Sequence, residues 1–177
     1  LQAMGDYAGA EPLYRRALEI REKSLGPEHP HTGSSLFNLA YCLELLDQTQ
    51  EAIELYGREL AIVQAREGEA SISAAQTQLR LGRLLRDAGD HVEALRCLNT
   101  AEATFLREGE EYADNLATVF NLRGQTHAVA GDFPAAVADF EQALELASLA
   151  SPDDQEWVML MEKRLSAARR GEVWNDS

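Results

Sequence analysis

Apolar residues recur along this chain at helical spacing, in stripes that themselves repeat. Ala10, Leu13, Tyr14, Ala17, Leu18 and Ile20 form one stripe and predict an amphipathic helix. Glu11 with Arg15, and Glu19 with Lys23, are i,i+4 pairs suited to its wet side. Leu36, Leu39, Ala40, Leu43 and Leu46 form the next stripe, so the elements come in pairs. The pairs return at a fixed interval: Ala10, Ala52, Ala94 and Ala136 are spaced 42 residues apart. GDYAGAEPLYRRAL (5–18) recurs as DQTQEAIELYGREL (47–60), GDHVEALRCLNTAE (89–102) and GDFPAAVADFEQAL (131–144). A fixed period of this length predicts a solenoid, in which each helix pair buries its apolar face against its neighbours.

Small residues stand where two helices must approach closely: Ala40, Gly82 and Gly124 in the first helices, Ala52, Ala94 and Ala136 in the second. Glycine inside a helix costs about 1 kcal/mol relative to alanine, so a packing reason is expected. Between the helices of a pair, Gly89-Asp90 and Gly131-Asp132 offer a left-handed C-terminal residue followed by an N-cap, and Asp47 takes the glycine's place in an earlier unit. LGPEHP (25–30) should end one helix and delay the next, since Pro27 and Pro30 cannot continue it.

These residues resemble the tetratricopeptide repeat: a small residue in the first helix, a Gly-Asp turn, then alanine, aromatic and alanine at spacings of four and three. The pattern is met by Gly5, Ala10, Tyr14 and Ala17; by Ala40, Ala52 and Tyr56; by Gly82, Gly89, Ala94 and Ala101; and by Gly124, Gly131, Ala136, Phe140 and Ala143. The 42-residue period, with YRRALEIREKSLGPEHPHTGSSLFNLA (14–40), is similar to the longer repeats of kinesin light chains. Four positions depart from the pattern. Glu59 replaces a small residue, Leu98 an aromatic, Arg123 a leucine and His127 a tyrosine.

The resemblance implies an all-α, right-handed α-solenoid of tetratricopeptide helix pairs with a C-terminal capping helix. Its expected divisions are a partial repeat over 1–25, repeats over 26–67, 68–109 and 110–150, a capping helix over 151–172 and a tail over 173–177. Leu1 to Met4 read as the stump of a first helix, as in a piece of a longer protein. In the final helix, Asp153, Asp154 and Glu156 at its start and Arg169 and Arg170 at its end suit the helix dipole, while Val158, Leu160, Met161 and Leu165 can cover the last repeat.

Composition narrows the function further. The net charge of −14 would repel a polyanionic backbone, so nucleic acid and anionic membranes are not expected partners. Cys42 and Cys97 occupy unrelated repeat positions and are expected to be buried thiols, consistent with a cytoplasmic protein. No catalytic motif is present, so the chain is not expected to be an enzyme. No cofactor or metal is expected: His29 and His31 straddle a proline without further ligands, and Glu108, Glu110 and Glu111 read as a solvated turn. His127 lies on an apolar stripe and is expected to bond to backbone.

In the family that the chain resembles, first helices line a concave face that receives an extended peptide or a partner helix. The corresponding positions here are Ser34, Phe37, Asn38, Tyr41 and Glu44, then Gln76, Leu79, Arg80, Arg83 and Arg86, then Thr118, Asn121, Leu122, Gln125 and Ala128. A peptide-binding groove is therefore expected at Phe37, Asn38, Tyr41, Leu79, Arg80, Arg83, Arg86, Asn121 and Gln125. Amides suit a peptide backbone and arginines suit carboxylates, which points to a ligand with acidic residues beside an apolar anchor. The arginines could instead neutralise neighbouring acidic second helices. The expected function is a protein-interaction scaffold, monomeric as a fragment. Two alternatives are an accessory sensing or positioning domain of a larger enzyme or signalling protein, and a self-assembly module acting through its half-repeat.

Overall fold

The computed structural model describes residues 6–150 and 155–174. The expected stump at Leu1–Met4, Gly5 of the repeat pattern, and Asp153 and Asp154 of the final helix lie outside the described residues. The described residues form helices joined by short turns, and the chain divides into two compact units, Leu1–Leu84 and Leu85–Ser177.

The first unit contains α1 (Tyr7–Leu25), α2 (Pro30–Glu44), α3 (Thr49–Glu67) and most of α4 (Ile72–Asp87). Asp6 caps α1, its Oδ1 accepting from the Gly9 amide at 2.9 Å. Gly26 ends the helix with φ 95°. Pro30 does not merely delay the next helix. It is the first residue of α2, where a missing amide hydrogen has no intrahelical acceptor to lose. Asp47 closes the α2–α3 turn at φ 57°, the left-handed conformation that glycine adopts at equivalent turns, and the Gln48 amide donates back to the Leu43 carbonyl at 2.9 Å.

Leu36, Leu39, Ala40, Leu43, Ala52 and Tyr56 are at most 1% exposed, so the seam between α2 and α3 is dry. The stripe expected on α1 is narrower than its spacing suggested. Ala10 and Leu18 are buried, whereas Leu13 and Ile20, seven residues apart on one edge, are exposed.

The second unit holds the end of α4, then α5 (His91–Glu108), a 3-10 turn (Glu110–Tyr112), α6 (Ala113–Val129), α7 (Phe133–Ala150) and α8 (Gln155–Arg169). Gly89 and Gly131 take φ of 86° and 82°, and Asp90 and Asp132 cap the helices that follow. A Cβ added at Gly124 would lie 2.8 Å from the Phe140 ring, which is the packing reason for a glycine inside α6. α8 packs on α7 and covers the end of the unit: Met161, Leu165 and Ala168 are buried, and the last two join Ala128, Ala136 and Phe140 in one cluster. Val158 and Leu160 are only partly buried.

Candidate functional site

In the first unit, α4 places Arg80 against Phe37 and Tyr41 of α2, and Arg80 and Arg83 against Glu44, while Asn38 and Leu79 stand on the same two helices. The organising group is Glu44, whose side chain is 5% exposed. Its Oε2 accepts from the Tyr56 hydroxyl at 2.9 Å and lies 3.5 Å from Arg80 Nη1, while Arg83 pairs with Oε1. The Arg80 guanidinium sits 4.9 Å from the Tyr41 ring centre and 5.5 Å from that of Phe37, within cation–π range. Phe37 in turn packs edge-on against Tyr56 at 5.5 Å. Burial pushes the Tyr56 hydroxyl well above its ordinary titration range, so it donates as a neutral phenol.

Arg80 and Arg83 are therefore ion-paired, and the acid they meet stands on a first helix rather than a second. Both keep exposed surface, with side chains 33% and 44% accessible. Two guanidiniums against one buried carboxylate leave one positive charge in excess. Asn38 is exposed, and Tyr41 and Leu79 are half-buried.

The second unit treats its share of the expected residues differently. Arg86 donates to Gln125 Oε1 at 2.8 Å and, through Nε and Nη2, to Asp87 Oδ1 at 2.9 and 2.7 Å. Gln125 donates to Asn121 Oδ1 at 3.0 Å, and Arg164 from α8 donates to the same oxygen at 2.6 Å. Asn121 is 5% exposed, so its amide serves the unit's own packing. A cavity of about 450 Å³ lies beside this chain of bonds, lined by Arg86, His91, Gln125, Phe140, Arg164 and Trp174 among others.

Three departures from the repeat pattern also acquire partners. Arg123 donates to Asp139 at 2.9 and 2.6 Å and to Asn99 at 2.9 Å, pairs with Glu102, and lies 5.1 Å from the Phe120 ring centre. His127 faces the Asp139 carboxylate at 3.7 Å, not a backbone carbonyl. The leucine usual at position 123 is thus exchanged for an ion-paired knot joining α5, α6 and α7. Glu59, in the first unit, is 7% exposed and accepts from Thr77 Oγ1 at 2.8 Å. Burial raises its carboxyl to about 7.

Helical spacing places neither Arg164 nor Tyr56 at the expected groove: Arg164 acts on Asn121, 43 residues away in sequence, and Tyr56 acts on Glu44 from the second helix of the pair. The advance signal for Arg164 is the clustering of Lys163, Arg164, Arg169 and Arg170 in an otherwise acidic segment, and that for Tyr56 is its place as the aromatic of the repeat pattern.

Both thiols are buried and free, and burial pushes each above its ordinary value. Among the described residues, no group of three or more His, Cys, Asp or Glu is placed to hold a metal ion, and no helix is long and apolar enough to cross a membrane.

The family model for the tetratricopeptide repeat matches residues 1–65 and 73–148. A curated relative, the protein KINESIN LIGHT CHAIN-RELATED 3 of Arabidopsis thaliana, is 31% identical over 81 residues, covering 46% of this chain but only 12% of that protein. Among solved structures, a kinesin light chain candidate from Podosopora anserina with nearly identical TPR-like repeats superposes with a TM-score of 0.78 at 23% identity, covering 96% of this chain and 81% of that one. BtubC (BKLC) from P. vanneervenii superposes with a TM-score of 0.71 at 24% identity, covering 99% and 79%. The fold is a scaffold type used for protein–protein interaction. By its repeat model, period and helix pairing, the chain belongs to the tetratricopeptide-repeat family, with repeats similar to those of kinesin light chains.

Proposed function

We propose that this chain is a non-catalytic scaffold that binds a partner segment on the α2–α4 face of its first unit. The segment carries Asp or Glu beside a large apolar or aromatic anchor. The observation that carries this reading is the Glu44 cluster. A buried carboxylate holds two arginines in place while leaving their outer surfaces accessible and one positive charge in excess. Preorganised guanidiniums lose less conformational entropy on meeting a ligand carboxylate than free ones do. Tyr41, Leu79 and Phe37 supply the apolar surface, and exposed Asn38 can bond a peptide backbone from both ends of its amide.

The overall charge of −14 opposes an acidic ligand at long range, so association is slow for a charged pair and the attraction acts at contact. Selecting a random peptide display library on the chain tests the reading. Enriched peptides should share an acid next to an aromatic or branched apolar residue. The triple substitution Glu44→Gln, Arg80→Gln, Arg83→Gln removes the charges together without stranding any of them, and it should weaken the selected peptides at least tenfold while circular dichroism stays unchanged. Peptides that lack the acid, or that bind the triple variant equally well, would place recognition elsewhere.

A further inference from the structure

Three acids are held inside the described residues, and two of them have cations. Glu44 has Arg80 and Arg83; Asp139 has Arg123. The third, Glu59, has Thr77 as its hydrogen-bond partner and no cation among the described residues. Thr77 also directs its hydroxyl to the Ser73 carbonyl at 3.2 Å, so even that bond is shared. An ionised carboxylate removed from water without a counter-charge is costly, and it becomes stable when a cation reaches it.

Glu59 lines a cavity of about 350 Å³ together with Ser34, Phe37, Asn38, Ile62 and Arg66, among others. That volume falls in the range of ligand pockets and is far larger than one water needs. The lining has the chemistry of a cation receptor. Ile62 and Val63 offer apolar surface for a methylene stem, and the Phe37 ring offers a π-face. Asn38 provides a carbonyl, and Ser34, whose hydroxyl already donates to the Pro30 carbonyl, keeps its lone pairs as acceptors. The positive group in the lining, Arg66, is paired with Glu67.

We infer that this cavity takes a cationic side chain, a lysine ammonium or an arginine guanidinium, presented by a protein partner. The occupant forms the ion pair that Glu59 lacks, and the chain's negative field draws it in. The site shares Phe37 and Asn38 with the α2–α4 face but none of Glu44, Arg80 and Arg83, and it does not depend on the acidic-ligand reading.

Binding is coupled to a proton. Burial is the main cause raising the Glu59 carboxyl to about 7, with Glu67 adding to it and Thr77 opposing. The ionisable groups facing it are Glu67, Arg66 and Tyr56 from α3; α4 contributes the hydroxyls of Ser73 and Thr77, and the α2 lining is uncharged. A bound cation favours the carboxylate, so it releases the proton, and affinity rises with pH through 7. Between pH 6 and pH 8 the ionised fraction, and with it the affinity, grows about tenfold.

The test is an NMR titration of the full chain with n-butylammonium and with ethylguanidinium, which stand for the two side chains, using n-butanol and ethylurea as uncharged controls. Saturable shifts at Ser34, Asn38, Glu59 and Ser73 are expected with at least one cation and with neither control. They should be about tenfold tighter at pH 8 than at pH 6 and absent in Glu59→Gln. The Glu44→Gln, Arg80→Gln, Arg83→Gln variant should bind the cations as wild type does, which separates this site from the acidic-ligand face. Equal shifts from the uncharged controls, a pH-independent affinity, or undiminished binding by Glu59→Gln would each overturn the inference. Should Glu59→Gln fold poorly, the wild-type comparison between pH 6 and pH 8 decides alone.

Discussion

The two units use arginine and amide side chains to opposite ends. In the first, one buried acid anchors two arginines from beneath, and Asn38 and Arg83 stay exposed at the surface. In the second, Arg86 and Arg164 satisfy Gln125 and Asn121 from within, and Asn121 is lost to solvent. Asn38 on α2 and Asn121 on α6 were both expected to hold a peptide backbone through their amides. What separates them is a partner: α8 delivers Arg164 onto the Asn121 oxygen, and Asn38 has no such visitor among the described residues. A polar side chain on a helix face belongs to a binding surface only if no later element of the chain claims it.

The sharpest way to break this comparison is steric. Gly124→Leu should destabilise the second unit by about 3 kcal/mol, because even its Cβ would collide with the Phe140 ring. Thermal denaturation should show a fall on the order of 10 °C. An unchanged midpoint would show that α6 and α7 can separate freely.

Next in size is the anchor of the first unit. Glu44→Ala strands the buried Tyr56 hydroxyl and leaves two arginines facing each other. The loss should be about 2 kcal/mol, below the usual cost of breaking a fully buried pair, since both arginines reach water. Arg164→Gln in the second unit removes the charge-assisted bond to the buried Asn121 oxygen and should cost less, about 1.5 kcal/mol. Urea denaturation of the two variants measures the contrast, and equal losses would erase it.

Glu59 supplies a pH-dependent test. A carboxyl raised to about 7 in the folded chain, against about 4.5 when unfolded, keeps a proton that the unfolded chain has released. Stability from this group is therefore full below about pH 4.5 and is lost as pH rises through 7, by on the order of 2 kcal/mol between pH 5 and pH 8. Glu51 and Glu67 act the other way, since Arg15 and Ser73 respectively hold their carboxyls low, and their contribution is lost only as pH falls below about 4.5. Measured between pH 5 and pH 8, the wild type should lose stability relative to Glu59→Gln. A constant difference would mean that Glu59 titrates as an ordinary acid.

The smallest effect sharpens the comparison of glycines. Gly57, inside α3, has nothing within 4 Å of an added Cβ, unlike Gly124. Gly57→Ala should therefore stabilise the first unit by roughly 0.5 to 1 kcal/mol through helix propensity alone. A loss in its place would reveal a contact at that position.

Much of this fold was legible because its signals are local. A Gly-Asp step demands a left-handed residue and then a cap, and Gly89-Asp90 and Gly131-Asp132 adopt both. Ala52, Ala94 and Ala136 are fully buried, as residues at close helix approaches must be. The binding face was legible only as a set of residue types at helical spacing. Spacing cannot distinguish Leu18, which is buried, from Ile20, which is exposed two residues later. Nor does it reveal that Arg123 would find Glu102 and Asp139, since those partners lie 21 and 16 residues away in sequence.

The sequence by itself determined the helix pairs, their period and their turns, because backbone conformation and apolar periodicity depend on neighbours within a few residues. Only the tertiary structure decided which polar groups remain available to a partner. That depends on whether a side chain from a distant helix reaches them first, as Arg164 reaches Asn121, or whether a buried acid such as Glu44 holds them outward. It also decided that Glu59, a single departure from the repeat pattern, stands buried at a cavity whose cation, Arg66, is paired with Glu67 instead.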